Sequence, residues 1–482
     1  MSTTNQNYVG DQWVDAKNGD TFATYNPARP SEEVATYPNS DRADARAAIE
    51  AAVEAAPEWA RTPGPERGRI LRETAAILAD RKQELTELLT TEEGKTHAEA
   101  GGEVQRAIDI FYYYAEKPRD YLGDVKAASG ARTNLYTRKE PLGTVGLITP
   151  WNYPIAIPAW KIAPALATGN TLVHKPATNA PGVAIAIFEA LDEAGLPDGV
   201  ANVVAGPGSK VGEEIITNDA IDAISFTGSS AVGERVYKDA AAAGKRVQTE
   251  LGGKNPTIVS ESADTGKAAE IVSTGAFGVT GQACTACSRA IVHTDVYDDF
   301  VSALVDEAAA IEVGPGDEYD MGPQVTESEL KSTLEYIDRA KADGNTLAFG
   351  GERLEGGRYE DGYFVEPTVF SDVDPQDTIG QEEIFGPVVA VIEADGFEDA
   401  MSIANGVEYG LSASIVTEDH TEAEEFVREI ESGVAKINEK TTGLELHVPF
   451  GGFGRSSSET WREQGDEGLE FYTIEKTIYD NF

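Results

Sequence analysis

Cysteine is almost absent: the 482-residue chain holds two, Cys284 and Cys287. Two thiols build no disulfide framework, so a reducing compartment is expected. Basic residues are also scarce, 39 Lys and Arg against 83 Asp and Glu, for a formal net charge of −44. That charge repels nucleic acid and anionic membranes, and neither is expected as a partner. The carboxylates are spread along the chain rather than gathered in a tail, which points to a folded protein with an acidic surface. A salt-rich cytoplasm, where cations screen the repulsion, is the simplest origin, and a halophilic source follows. Histidine is rare: His97, His174, His293, His420 and His447 show no ligand spacing, and no metal is expected. The N-terminus MSTTNQNYVGDQWVDAKNGD has no basic region and no apolar run, so no secretion signal is read and a cytoplasmic location is expected. Pro141 to Trp160 is uncharged and long enough to raise the membrane question. Pro141, Pro150, Pro154 and Pro158 would break a spanning helix, and the run reads as a buried strand, a loop and a helix start.

What is present is mostly alternation. The length suggests two or three domains. The first hundred residues read as helical, with Ile70, Leu71, Ala75 and Leu78 at helical spacing in RILRETAAILADRKQELTELL. From Gly143 onward, TVGLIT, NTLVHKP, GVANVVAG and DAISFTG each precede a helical stretch. A second series, PTIVS, SRAIVHT, VVAVIEA, SASIVT and GVAKIN, is separated by acidic helices. Strand–helix alternation of this kind predicts an α/β fold with two doubly wound, parallel sheets. YLGDVKAASGARTNLYTRKE and EFYTIEKTIYDNF fit neither series and read as extended segments that pair with each other or with another subunit.

The two cysteines sit in TGQACTACSR, a C-x-x-C spacing. A structural zinc needs about four ligands and finds no others here. A redox pair has no further support, and two small buried residues are the bland alternative. Other stretches carry polar groups to strand ends, where doubly wound folds place ligands. PWNYP puts Asn152 after the first strand of the series, HKPATNAP ends the next with Lys175, and TELGGKNP puts Glu250 at another strand end. FTGSSAVGE places Gly228 and Ser229 at a helix start, where free N–H groups suit a phosphate. No Lys-Ser/Thr follows, so this is no P-loop. Taken singly, Lys175 reads equally as a solvated charge, Asn152 as a turn residue and Glu250 as one surface carboxylate among many.

Taken together, PWN, HKPA, FTGS, ELGGK, FGVTGQAC and EEIFGP occur in the order found in the NAD(P)-dependent aldehyde dehydrogenases, and the chain resembles that family over essentially its whole length. The 34-residue gap between Glu250 and Cys284 is also typical of it. The resemblance implies an aldehyde dehydrogenase fold: a cofactor domain over 1–118 and 141–250, a catalytic domain over 251–438, and oligomerisation segments at 119–140 and 466–482 of a homodimer or homotetramer. It implies that Cys284 is the nucleophile, that Asn152 holds the oxyanion with the Cys284 N–H, and that Glu250 is the base for hydrolysis. Coenzyme-A-acylating relatives generally lack this Glu, so a free acid is the expected product. Lys175 and Glu383 are expected at ribose hydroxyls, Ser229 at the pyrophosphate and Phe385 near the nicotinamide, with Trp151 and Gly228 also binding the cofactor. Thr178 stands where many NAD-preferring members have Glu, which favours NADP, or use of both NADP and NAD.

The C-terminal motifs HVPFGG and REQGDEGLEFYTIEKTIY, with RVQTELGGKNPTIV, resemble the α-ketoglutaric semialdehyde dehydrogenases, which oxidise 2,5-dioxopentanoate. SSSETWREQG replaces the S-G-x-G-R-E of many members and suits that subgroup. A carboxylated aldehyde needs a cation, best an arginine. Arg106 is the first candidate, Arg455 the second and Arg289 the third, while pairing of Arg106 with Asp109 is the structural alternative. Tyr153, Trp160 and Phe450 fall where the family lines its substrate tunnel. Alternatives are oxidation of succinic semialdehyde, glyceraldehyde or a broad range of aldehydes, and an inactive binding or structural protein of the same fold.

Overall fold

The computed structural model describes residues 3–121, 123–316 and 318–482. Five parallel strands form the heart of one sheet, in the order Arg246–Glu250, Ala223–Thr227, Thr144–Ile148, Thr171–Lys175 and Ala201–Val203. The antiparallel hairpin Asn7–Val9 and Gln12–Val14 extends its far edge. The central strands are buried along their whole length, as a parallel sheet covered by helices on both faces requires. The second sheet runs Thr346–Phe349, Thr368–Ser371, Val388–Ala394, Cys287–His293, Asn255–Val259, Ser412–Val416 and Val434–Ile437, parallel except for its first strand. The expected α/β class with two wound sheets is therefore correct.

One expectation fails. The chain is not helical from its start: Thr21–Asn26 and Arg29–Pro38 pair as antiparallel strands, and helices begin only at Arg42–Trp59. The run from Pro141 to Trp160 resolves into a strand end, the strand Thr144–Ile148, a loop and the start of the helix Ala156–Thr168. Among the described residues, no helix is long and apolar enough to cross a membrane.

The two extended segments do pair with each other. Thr133–Pro141 lies antiparallel to Thr473–Asn481 in a ribbon outside both large sheets. Its root is tied to the first sheet by Arg246, which donates to the carbonyls of Glu470, Phe471 and Thr473.

The helix His97–Glu116 opens with a capping box, in which Thr96 and Glu99 satisfy each other's backbone N–H. Glu99, Gly102, Glu103 and Arg106 then fall at i, i+3, i+4 and i+7, one face of the helix. That face looks into the cleft between the sheets.

Candidate active site

The first sheet delivers its functional residues at the carboxyl ends of its strands. Asn152 follows Thr144–Ile148, Gly228 and Ser229 follow Ala223–Thr227, and Glu250 ends its own strand. The second sheet meets them with the opposite ends: Cys284 lies three residues before Cys287–His293. The loop bearing the nucleophile candidate is strained and pinned. Val279 and Thr280 have φ of 54° and 55°, unusual for a β-branched residue. Asn255 Nδ2 donates to the carbonyls of Cys284 and Ala286, each at 2.8 Å, and Val279 N–H donates to Glu99. Asn152 Nδ2 donates to the Gln282 carbonyl at 3.0 Å, which ties the amide to the same loop. The paired glycines of ELGGK permit close approach: a Cβ on Gly252 would lie 2.0 Å from the Glu383 carboxylate, and one on Gly253 2.6 Å from the Cys284 carbonyl. Gly253 N–H in turn donates to Glu383 at 3.0 Å.

Two cavities meet at Cys284, and Ile157 and Thr227 border both. One, of about 210 Å³, gathers Trp151, Asn152, Gly228, Ser229, Glu383 and Phe385. Trp151 and Phe385 meet edge to face there, with centroids 5.4 Å apart. The other, of about 290 Å³, gathers Arg106, Tyr153, Trp160, Glu250 and Phe450. A thiol reachable from both sides, an amide beside it and a buried carboxylate can together perform acyl chemistry on a carbonyl.

The charges explain how the groups are poised. Burial, with the Glu383 and Glu250 carboxylates nearby, pushes the Cys284 thiol above its ordinary range. Burial and the Glu463 carboxylate push Glu250 well above the usual carboxylate range. Its Oε1 accepts from Ser457 at 3.3 Å and its Oε2 has no partner. Burial also raises Glu383 to about 7.

The family model for the aldehyde dehydrogenase family matches residues 13–478. The chain belongs to the aldehyde dehydrogenase family. The α-ketoglutarate semialdehyde dehydrogenase of Haloferax volcanii is 66% identical over 482 residues, covering 100% of both chains. The betaine aldehyde dehydrogenase of Staphylococcus aureus, solved with NAD+, superposes with a TM-score of 0.96 at 35% identity, covering 99% of this chain and 96% of that one. A 3,6-anhydro-L-galactose dehydrogenase solved with NADP gives 0.95 at 37% identity, covering 99% and 100%. This aldehyde dehydrogenase is accordingly an oxidoreductase that uses a nicotinamide dinucleotide.

The smaller cavity suits such a dinucleotide. The helix Ser230–Ala242 begins without a side-chain cap, which leaves its first N–H groups for a phosphate. Thr227 Oγ1 is buried without a partner beside it. Lys175 and Thr178 do not border this cavity. Lys175 is buried at its strand end, its Nζ donating to the Pro176 carbonyl at 2.7 Å, and burial lowers it to about 8.

Two of the three arginines do not reach the larger cavity. Arg289 is fully buried and donates to the carbonyls of Lys254, Ile403 and Ala404, so it braces the second sheet. Arg455 lies at the surface between Glu234 and Glu408, each at 2.9 Å. Only Arg106 borders the cavity. Asp109 is not its partner but accepts from Gln105; Arg106 Nη2 donates to Gln464 Oε1 at 3.0 Å. Trp160 and Phe450 pack against each other on the cavity wall, tilted, with centroids 6.2 Å apart, and the Trp160 indole N–H has no partner.

Two buried clusters escaped the sequence reading. Behind Glu250, Lys161 Nζ pairs with Glu463 and donates to Ser225 Oγ at 2.7 Å. The signal for it was Lys161 itself, the one charge in the apolar helix AIPAWKIAPALAT. Beside Asn152, Lys95 Nζ donates to the Asn152 carbonyl and pairs with Glu103 at 3.0 Å and Glu93 at 3.4 Å. Glu103 Oε1 accepts from the N–H groups of Ile155 and Ala156, so the two side chains clasp the Asn152 loop from both ends. Burial raises Glu93 to about 7 even with Lys95 beside it. Lys95→Met is expected to cost about 3–5 kcal/mol, because it leaves two buried carboxylates without their cation. The check is thermal unfolding, with the midpoint falling; an unchanged midpoint would mean the cluster contributes little.

Proposed function

We propose that the protein oxidises 2,5-dioxopentanoate to 2-oxoglutarate in the breakdown of sugars or sugar acids, by covalent catalysis at Cys284. The observation that carries this reading is the guanidinium of Arg106 on the wall of the cavity that holds Cys284 and Glu250. In a compact pocket whose carboxylates repel an anion, the Arg106 guanidinium is the group that suits a short aldehyde ending in a carboxylate. The identity of 66% with a relative named for that semialdehyde supports it.

In this reading the Cys284 thiol first gives its proton to solvent and the thiolate attacks the aldehyde carbon; the new oxyanion is met by the Asn152 amide and the Cys284 N–H. Removing one such donor typically costs roughly 10²–10³ in rate. A nicotinamide dinucleotide in the smaller cavity supplies the hydride acceptor. Ser229 and its helix N-terminus would hold the pyrophosphate, Glu383 a ribose hydroxyl, and Trp151 and Phe385 the ring; Lys175, outside this cavity, would meet the part of the dinucleotide that extends beyond it. Glu250 then takes a proton from the water that attacks the Cys284 thioester, which frees the acid and restores the thiol. Burial and the negative field of Glu463 make Glu250 a stronger base than an exposed carboxylate.

The residue at 178 is Thr, which places no carboxylate against a 2′-phosphate, so NADP is used well, alongside or ahead of NAD. The enzyme works as a homodimer or homotetramer in a salt-rich cytoplasm. The ribbon of Thr133–Pro141 and Thr473–Asn481 lies outside both sheets with Ile474 and Tyr479 exposed, which suits an assembly surface. The −44 charge suits concentrated salt.

Initial rates test the substrate reading: 2,5-dioxopentanoate, succinic semialdehyde, glyceraldehyde and pentanal, each with NAD and NADP, in molar salt. The expected result is a clear preference in kcat/KM for 2,5-dioxopentanoate. Arg106→Ala is expected to lower that value by about 10²-fold, the scale for losing a charged hydrogen bond of about 3 kcal/mol. Pentanal is expected to be unaffected. Equal rates across the panel would reduce the reading to a broad aldehyde dehydrogenase.

A further inference from the structure

We infer that Gln464 determines specificity for a carboxylated aldehyde by fixing the Arg106 guanidinium without cancelling its charge; this rests on the reading of Arg106 given above. Arg106 would be the natural partner of a carboxylate, and this chain has 83 to offer. The carboxylates of Glu445 and Asp109 act on it only through space, and its Nη2 donates to the neutral amide oxygen of Gln464 at 3.0 Å. An amide takes one of the five guanidinium N–H donors and leaves the full positive charge and the other donors for a ligand. A carboxylate in the same place would hold the arginine equally well and neutralise it.

The position is built for this. Gln464 is 1% exposed and has φ of 62°, a left-handed conformation that costs a side chain other than glycine or asparagine. Its surroundings enforce that conformation. Glu463 exchanges two backbone hydrogen bonds with Phe450, both at 2.7 Å, and Gly468 N–H donates to the Gln464 carbonyl at 2.8 Å. Tyr114, two turns along the helix that carries Arg106, donates to the Gly465 carbonyl at 3.0 Å. The same short stretch therefore anchors Phe450 on one wall of the cavity and Arg106 on another. Gln464 Nε2 has no partner, so Arg106 is the contact that orients the amide.

The test is steady-state kinetics of Gln464→Leu with 2,5-dioxopentanoate and pentanal, beside Arg106→Ala and the double variant. Gln464→Leu is expected to raise KM for the carboxylated aldehyde about tenfold, the effect of losing one charge-assisted hydrogen bond. Its kcat and both constants for pentanal are expected to stay near those of the parent, and the double variant to match Arg106→Ala. Should Leu prevent folding, Gln464→Asn replaces it: asparagine accepts the left-handed conformation, and its shorter side chain withdraws the oxygen from Arg106. An unchanged preference in Gln464→Leu, with the preference lost in Arg106→Ala, overturns the role of Gln464 alone. Equal slowing of both aldehydes assigns Gln464 to folding instead. An unchanged preference in Arg106→Ala overturns the carboxylate clamp and, with it, this inference.

Discussion

Cys284→Ala is expected to bind dinucleotide as the parent does while aldehyde oxidation falls by roughly 10⁴-fold or more, the scale seen when a covalent nucleophile is deleted. Cys287→Ser is expected to retain full activity. The two thiols occupy different surroundings despite their spacing. Cys284 is partly exposed where the cavities meet, whereas Cys287 is 1% exposed within a strand, its sulfur 3.2 Å from Thr257 Oγ1. A serine at 287 keeps a hydrogen-bonding partner. Equal loss in both variants would mean that the pair acts as a unit. The thiols also differ in what reaches them: alkylation should label Cys284 and spare Cys287. Because burial and two carboxylates raise Cys284, its thiolate fraction grows with pH. Without dinucleotide, inactivation by iodoacetamide should therefore accelerate about tenfold per pH unit from about pH 6 to 9. A plateau near neutrality would contradict the neutral thiol.

Glu250→Gln is expected to separate the two halves of the reaction. The amide cannot accept a proton from water, so steady-state turnover should fall by about 10²–10⁴-fold, the range for losing a general base. The first half does not need that proton transfer. Rapid mixing should therefore show close to one equivalent of reduced dinucleotide per site, followed by slow release of acid. Loss of the burst together with turnover would place Glu250 in the first half as well. The pH dependence has a definite sign. The carboxylate is the active form, and burial beside Glu463 raises the value at which it ionises. Turnover limited by hydrolysis should thus rise with pH above the ordinary carboxylate range, and the Gln variant should lose that rise.

The central strands of both sheets were legible because most are short apolar runs bounded by turn residues, whereas the outer strands Asn7–Val9, Gln12–Val14, Thr346–Phe349 and Thr368–Ser371 were not read. The opening strands were not: Arg29–Pro38 is largely exposed along its first half, so its apolar residues follow no core-facing period. The motifs of the candidate site could be picked out because each is contiguous and lies next to a strand. Arg289 misled because proximity to Cys284 in sequence says nothing about direction. It lies within a strand, and its guanidinium turns to carbonyls of Lys254, Ile403 and Ala404. The contacts of Lys161 with Glu463 and of Arg106 with Gln464 span 302 and 358 residues. Pairs so distant are created by the fold: Lys161 stands out as the one charge in its apolar helix, but no local pattern names its partner.

Cys284 stands where two cavities join rather than at the blind end of one. A pocket with a single mouth makes its occupants queue, the first to enter being the last to leave. On the proposed reading the two reactants approach one sulfur from different cavities, so the walls impose no order of arrival and the acid has an exit of its own. Sequence changes that widen or narrow one approach can therefore retune which aldehydes are taken without disturbing the other.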